Sequence, residues 1–151
     1  LQSRFGTPYV AGVPFGEKLG KKLKNALKTG NTQAFSELAG EDIVIIGEGV
    51  TSVSLEAAIE LTTGRSARVL CPTECDASPL RKKDRLCRDE EELERQLRGA
   101  KRIIADPLLR PICSKDVPFA ELPSEAFSGR LFRDRIPDLV SRFDAFLKEV
   151  L

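Results

Sequence analysis

Apolar residues near the start of the chain are spaced as in an amphipathic helix, on one face of a lysine-rich segment. The residues on this face are Leu19, Leu23, Ala26 and Leu27. Gly30 follows them and can end the helix with a left-handed cap. The chain between this helix and the next apolar run, residues 31–40, predicts a connector.

Three short runs rich in aliphatic residues predict strands buried on both faces of a parallel sheet. These are residues 43–46, 67–70 and 102–105, and the first reads Ile-Val-Ile-Ile. Residues 119–122 predict a fourth, shorter strand, and residues 72–85 a long polar loop.

Helix signals lie between the strands and after them. Thr51 is placed to cap a helix that runs to Gly64. Asp89 with Glu92 has the spacing of a capping box ahead of a third helix. Pro137 suits the first turn of a closing helix. The apolar face of that helix would be Leu139, Val140, Phe143, Phe146, Leu147 and Val150.

This β-α-β-α-β order needs helical crossovers between parallel strands. We therefore expect an α/β fold: a three-layer, doubly wound, Rossmann-like sheet that is mainly parallel, with helices on both faces. In such sheets the ligand crevice lies beyond the carboxyl ends of the strands, where the strand order reverses. We expect one concave region there. It would be bordered by Gly47, Glu48, Gly49, Asp106, Ser124, Glu125, Ser128 and Arg130.

The glycines of this edge allow two interpretations. Gly47 and Gly49 follow a strand and open a helix, the context of a phosphate-binding dinucleotide loop. However, Ser52 stands where the third glycine of that motif would be, and the second strand ends in Cys71-Pro72 instead of an acidic residue. Glycines that permit a tight strand-to-helix turn explain the pattern with fewer requirements.

Polar side chains at the same edge also have two interpretations. Glu48, Glu74, Asp106 and Glu125 can line a cleft, but solvation or helix capping accounts for each more simply. The arginines that follow Ser128-Gly129 can bind an anion or form salt bridges. They are Arg130, Arg133 and Arg135.

Four cysteines invite a metal interpretation, but their spacing is not that of paired Cys-x-x-Cys motifs. They are Cys71, Cys75, Cys87 and Cys113. The chain contains no histidine, so it cannot form Ser-His-Asp or Cys-His catalytic systems. We expect free thiols, no bound metal and no catalytic residue within this chain.

Charge and hydropathy favour an ordinary globular protein. The net charge of +1 gives no reason to expect a nucleic-acid partner or an anionic membrane surface. No apolar run approaches the roughly 20 residues that cross a bilayer. Without a signal-like segment in residues 1–16, the cytoplasm is the expected compartment.

Three segments resemble parts of the nitrogenase component 1 family, which also includes cofactor-assembly scaffolds and reductases of tetrapyrrole biosynthesis. Residues 122–130, Leu-Pro-Ser-Glu-Ala-Phe-Ser-Gly-Arg, resemble the Ser-Gly loop of the family. Residues 6–16 look like its entry into a helix before the last domain, and residues 42–49 look like the strand that opens that domain.

The resemblance implies that residues 1–40 are a helical extension or linker from a preceding domain and residues 41–151 the C-terminal Rossmann-like domain. The whole protein would be an oxidoreductase whose cleft holds an iron-sulfur or related metal cluster, or a tetrapyrrole-type substrate. This domain would form one wall of the cleft and would be inactive alone. The implied partners are the preceding domains, a homologous subunit and an ATP-dependent iron-sulfur reductase.

The sequence departs from the family at one informative position. Dinitrogen-reducing members have a cofactor-ligating histidine just ahead of the Ser-Gly loop, where this chain has Pro123 or its neighbours. The resemblance therefore does not extend to dinitrogen reduction. Two other functions remain open: a non-catalytic small-ligand-binding or cofactor-assembly scaffold, and an independent nucleotide-binding domain.

Overall fold

The computed structural model describes residues 10–30, 38, 40, 42–73 and 80–151. Their strands form a five-stranded parallel sheet in the order β3-β2-β1-β4-β5. The strands are β1 (Ile43–Ile46), β2 (Ala67–Cys71), β3 (Arg85–Leu86), β4 (Arg102–Ala105) and β5 (Phe119–Glu121). The predicted doubly wound parallel sheet is confirmed, and the three main strands lie adjacent with β1 at the centre.

Helices cover both faces of the sheet, as predicted. Among the described residues, the α-helices are α1 (Gly16–Thr29), α2 (Gly49–Thr63), α3 (Glu90–Gln96), α4 (Gly129–Phe132) and α5 (Phe143–Val150). In the same part of the chain, 3₁₀ helices at Pro107–Ile112 and Arg133–Arg135 follow β4 and α4.

Alternate residues of β1 enter separate hydrophobic cores. Ile43 and Ile45 pack with α1, α2 and α5 on one face of the sheet. Val44 and Ile46 pack on the other face with α3 and with residues next to the first 3₁₀ helix. Because both faces are covered, all four residues of the strand are buried, which explains its continuous apolar sequence.

The first helix agrees with its pattern except at one position. Leu19, Leu23 and Ala26 are buried, and Gly30 ends the helix at φ 68°. Leu27 was expected on the same face but is 47% exposed. At about 100° per residue, Leu27 lies roughly 80° around the helix from Leu19 and therefore at the edge of the buried face.

Helix starts were predicted less well than strands. The α2 cap is Glu48 and not Thr51: the Glu48 carboxylate accepts hydrogen bonds from the N–H groups of Val50 and Thr51. The predicted end at Gly64 is confirmed, with φ 70°.

The third helix starts as predicted. Asp89 accepts from the Glu92 N–H at 2.7 Å, and the Glu92 side chain accepts from the Arg88 N–H at 3.0 Å.

The closing helix does not start at Pro137. The Asp138 carboxylate accepts from the N–H groups of Val140 and Ser141 and holds a separate turn, so that α5 begins only at Phe143. Val140 is consequently 51% exposed and does not belong to the helix face.

Residues 72–85 were expected to be a loop, but Arg85 pairs with Leu70 as the first residue of β3. The connector at residues 31–37 and 39 lies outside the described residues, as do residues 74–79.

Candidate functional site

The strand order reverses between β1 and β4. Strands β2 and β3 lie on one side of β1, and β4 and β5 lie on the other. In doubly wound sheets this reversal leaves a crevice at the carboxyl ends of the two strands. A crevice of about 490 Å³ opens at this end of β1, next to the chain that follows β5.

Four of the eight predicted site residues line this crevice. Gly47 and Glu48 come from the turn after β1, and Ser124 and Glu125 from the loop after β5. The remaining wall is largely apolar and comes from the segment before α1, the end of β1, the first turn of α2, the loop after β5 and the turn before α5. It includes Phe15, Ile46, Leu122, Pro123, Ile136, Pro137 and Leu139.

Glu48 has a defined role at the crevice. Its carboxylate accepts from Val50 N–H at 2.9 Å and Thr51 N–H at 3.0 Å, which fixes it over the N-terminus of α2. Partial burial raises the pKa of Glu48, but the hydrogen bonds from Thr51 and Val50 outweigh burial and the pKa is lowered. Glu48 therefore presents a stable negative charge.

Asp106 lies behind the crevice wall and not in it. It is 1% exposed, and Oδ1 accepts from Leu108 N–H at 3.0 Å. Its Oδ2 accepts from Ser124 N–H at 2.9 Å, from Ser128 N–H at 3.3 Å and from the Ser128 hydroxyl at 2.6 Å. Asp106 thus ties the end of β4 to both ends of the Ser124–Ser128 loop.

The Ser-Gly pair is explained by this packing. Ser128 is 2% exposed because its hydroxyl donates to Asp106. A Cβ at Gly129 would lie 2.8 Å from Glu125 Oε2 and 3.3 Å from the Ser124 carbonyl oxygen. The glycine therefore permits a close approach that brings Glu125 back over the loop.

The last two predicted residues are not in the wall. Gly49 is buried in the first turn of α2. Arg130 is exposed on α4 and is not among the lining residues. Of the neighbouring arginines, Arg135 lies 3.4 Å from Glu121 and stacks on Phe132, as in the salt-bridge interpretation.

The close approach of Ser52 requires a glycine at position 47, the first residue of the turn after β1. A Cβ on Gly47 would lie 2.5 Å from Ser52 Oγ. The Glu48 carboxylate also occupies the helix N-terminus at which a dinucleotide phosphate would be held. Both observations favour the tight-turn interpretation over the nucleotide loop.

The cysteines that the structure describes are buried thiols. Cys71, Cys87 and Cys113 are buried, and Cys75 lies outside the described residues, as does Glu74. Burial raises the pKa of Cys87 to about 11 and also raises the pKa of Cys113. Within the described ranges, no group of three or more Cys, Asp or Glu side chains is arranged to hold a metal ion.

The sequence did not predict that Phe15, Ile136 and Asp138 line the crevice. Phe15 precedes α1, and the other two belong to the connection before α5. The Pro-Asp pair at 137–138 was a usable signal, since aspartate after proline favours a turn over a continuing helix.

In the part of the chain that the structure describes, no helix has the length and apolar character needed to span a membrane. Comparison of the chain with protein-family models, curated proteins and solved structures found no match.

Proposed function

We propose that this chain is the C-terminal domain of a nitrogenase component 1-related oxidoreductase and forms one wall of its cleft. The cleft would hold a metal cluster or a tetrapyrrole-type substrate. The supporting observation is that one crevice receives residues from all three segments that resemble the family. Phe15 comes from the first segment, Gly47 and Glu48 from the second, and residues 122–126 from the third.

The chemistry of the crevice supports a wall better than a catalytic centre. Its surface is mostly apolar, which suits the body of a large cofactor or substrate. Glu48, with its lowered pKa and two backbone donors, is a weak base and is ionised near neutral pH. Catalytic groups and electrons would therefore come from preceding domains and from an ATP-dependent iron-sulfur reductase.

A non-catalytic ligand-binding or cofactor-assembly scaffold is the second candidate. Its support is the size of the crevice, about 490 Å³, which falls in the usual range for small-molecule sites. The loop wall is also held in place by a buried carboxylate. The same crevice would then bind its ligand without a redox step.

The test is to express the complete natural protein, with any preceding domains, and to purify it without oxygen. Iron content and visible absorption report a cluster or tetrapyrrole. Ala126→Phe introduces a large ring at an exposed residue of the crevice wall, while Ala145→Phe makes the same change on the exposed side of α5. We expect Ala126→Phe to reduce the bound chromophore or metal by about tenfold or more, and Ala145→Phe to leave it unchanged.

The outcomes separate the candidates. Reduction of the bound group in the presence of reductase and ATP supports the oxidoreductase, whereas binding without turnover supports the scaffold. A complete wild-type protein without bound iron or chromophore would contradict the first proposal, and equal loading of both variants would show that the crevice is not the binding surface.

A further inference from the structure

Five charged side chains form a buried cluster between α2 and the segment before β3, away from the crevice. Glu56 and Glu60 lie one turn apart on α2, and Arg81, Lys83 and Asp84 face them. Arg81 Nη1 is 2.7 Å from Glu60 Oε2, and Lys83 Nζ is 2.5 Å from Glu60 Oε1. The Arg81 and Lys83 side chains are only 11% and 12% exposed.

Backbone donors hold two of the three carboxylates. Asp84 Oδ1 accepts from Val69 N–H in β2 at 2.8 Å, and Oδ2 accepts from Arg81 N–H at 2.7 Å. Glu60 Oε1 accepts from Ala67 N–H at 3.3 Å. These bonds attach the cluster to β2.

Glu56 lacks comparable partners. It is 0% exposed, and neither carboxylate oxygen has a hydrogen-bond partner among the residues that the structure describes. The two cations lie 3.3 Å and 3.2 Å from Oε1, and both are hydrogen-bonded to Glu60. Glu56 is therefore the carboxylate whose negative charge is stabilised least.

Counted over the residues that the structure describes, the formal charges of the cluster do not balance while every carboxylate is ionised. Glu56, Glu60 and Asp84 contribute three negative charges, and Arg81 and Lys83 contribute two positive charges. One unbalanced charge in a buried site is costly, and a bound proton removes it.

We propose that this cluster is a proton-binding site in which Glu56 carries one proton at neutral pH, and that loss of the proton loosens segment 81–84 from α2 and β2. Deprotonation of Glu56 then also weakens the attachment of β3 to the sheet, because Arg85, the first residue of β3, follows Asp84 directly. A rise in cellular pH through the titration range of Glu56 therefore weakens the sheet first at its β3 edge.

The pH dependence has a definite sign. Burial raises the pKa of Glu56 from 4.5 to about 8; Arg81 and Lys83 oppose this shift, and Asp84 and Glu60 reinforce it. Burial also raises the pKa of Asp84, against its backbone hydrogen bonds. Between pH 4.5 and about 8 the folded chain holds a proton that the unfolded chain has lost. The contribution of this proton to the free energy of unfolding is therefore complete below pH 4.5 and is lost as pH rises through about 8.

The experiment measures urea unfolding at about pH 6 and about pH 9 for the wild type, Glu56→Gln and Glu149→Gln. Glutamine imitates the protonated acid at the buried site, while Glu149 is exposed on α5. We expect the unfolding equilibrium constant of the wild type to rise on the order of tenfold or more between the two pH values. Glu149→Gln should behave in the same way, and Glu56→Gln should lose most of this change.

Two further measurements keep the proposal testable if Glu56→Gln does not fold. Carbon-13 NMR of the wild type should show one glutamate carboxyl that titrates well above the others. Hydrogen-exchange protection of Val69 and Arg81 N–H, corrected for the intrinsic rate, should fall with rising pH more than that of the other sheet amides. The proposal would be overturned if every glutamate carboxyl titrated near the ordinary value. It would also be overturned if Glu56→Gln kept the decline in amide protection or in unfolding stability with rising pH.

Discussion

Three carboxylates, Glu48, Asp106 and Asp138, each hold one local segment of the backbone in place. Glu48 starts α2, Asp138 forms the turn before α5, and Asp106 joins β4 to the Ser124–Ser128 loop. Each accepts two or more hydrogen bonds from backbone N–H groups that would otherwise lack partners. Of the acidic residues at strand ends, Glu48 and Asp106 accept hydrogen bonds from backbone N–H groups, as in the helix-capping interpretation.

Replacement of Asp106 by alanine should destabilise the chain strongly. The change leaves the N–H groups of Leu108, Ser124 and Ser128 without their acceptor, and the Ser128 N–H is buried. We expect a loss of roughly 3 kcal/mol in the free energy of unfolding, measured by urea denaturation.

Arg130→Ala is the matched control for Asp106→Ala, because Arg130 is exposed on the same connection. It should change the free energy of unfolding by less than about 0.5 kcal/mol. Equal effects of the two substitutions would mean that Asp106 does not hold the loop.

At the scale of elements, strands were predictable because their pattern is set by burial on both faces. The runs at 43–46 and 102–105 match β1 and β4 residue for residue. Strand β3 was missed because it has only two residues, both exposed, and carries no apolar pattern. The start of α2 was missed because Glu48, three residues before the predicted cap Thr51, caps the helix instead and accepts from the Val50 and Thr51 N–H groups.

The topology predicts only which chain segments meet at the candidate site. Parallel strands bring the carboxyl ends of β1, β4 and β5 to one edge, and Gly47 and Ser124 both line the crevice there. Whether a residue at that edge faces the crevice depends on side-chain packing. The burial of Asp106 and Ser128 follows from their hydrogen bond to each other, which no spacing rule indicates.

Two glycines of α1 should respond oppositely to alanine. Gly16 has φ +64°, and a Cβ there would lie 2.7 Å from the Phe143 ring of α5. We expect Gly16→Ala to cost about 1–3 kcal/mol of unfolding free energy through strain and overpacking. Gly20 lies within the helix with its nearest contact at 3.7 Å, so Gly20→Ala should stabilise the chain by about 0.5–1 kcal/mol.

Thermal or urea unfolding of the two variants is the measurement, and Phe143→Ala supplies a further check. If the contact with Phe143 causes part of the loss, Gly16→Ala should cost less in the Phe143→Ala background. A Gly16→Ala variant as stable as the wild type would show that α1 and α5 do not meet as described.

For the whole molecule, the central sheet separates two cores. One contains Ile59 of α2, and the other contains Leu93 of α3. Ile45 and Ile104, by contrast, are register partners on β1 and β4 and belong to the same core. Adjacent strands are only about 4.8 Å apart, whereas a sheet and the layer packed on it are about 10 Å apart.

This arrangement predicts which substitutions combine additively. Ile59→Val should cost about 1 kcal/mol and Leu93→Ala about 2–5 kcal/mol, and the double variant should equal their sum within about 0.5 kcal/mol. Ile45→Val and Ile104→Val leave neighbouring vacancies in one core, so their double variant should deviate from the sum by about 0.5 kcal/mol or more. Urea unfolding of the four single and two double variants measures both couplings. Coupling across the sheet as large as coupling within one face would mean that the two cores behave as one.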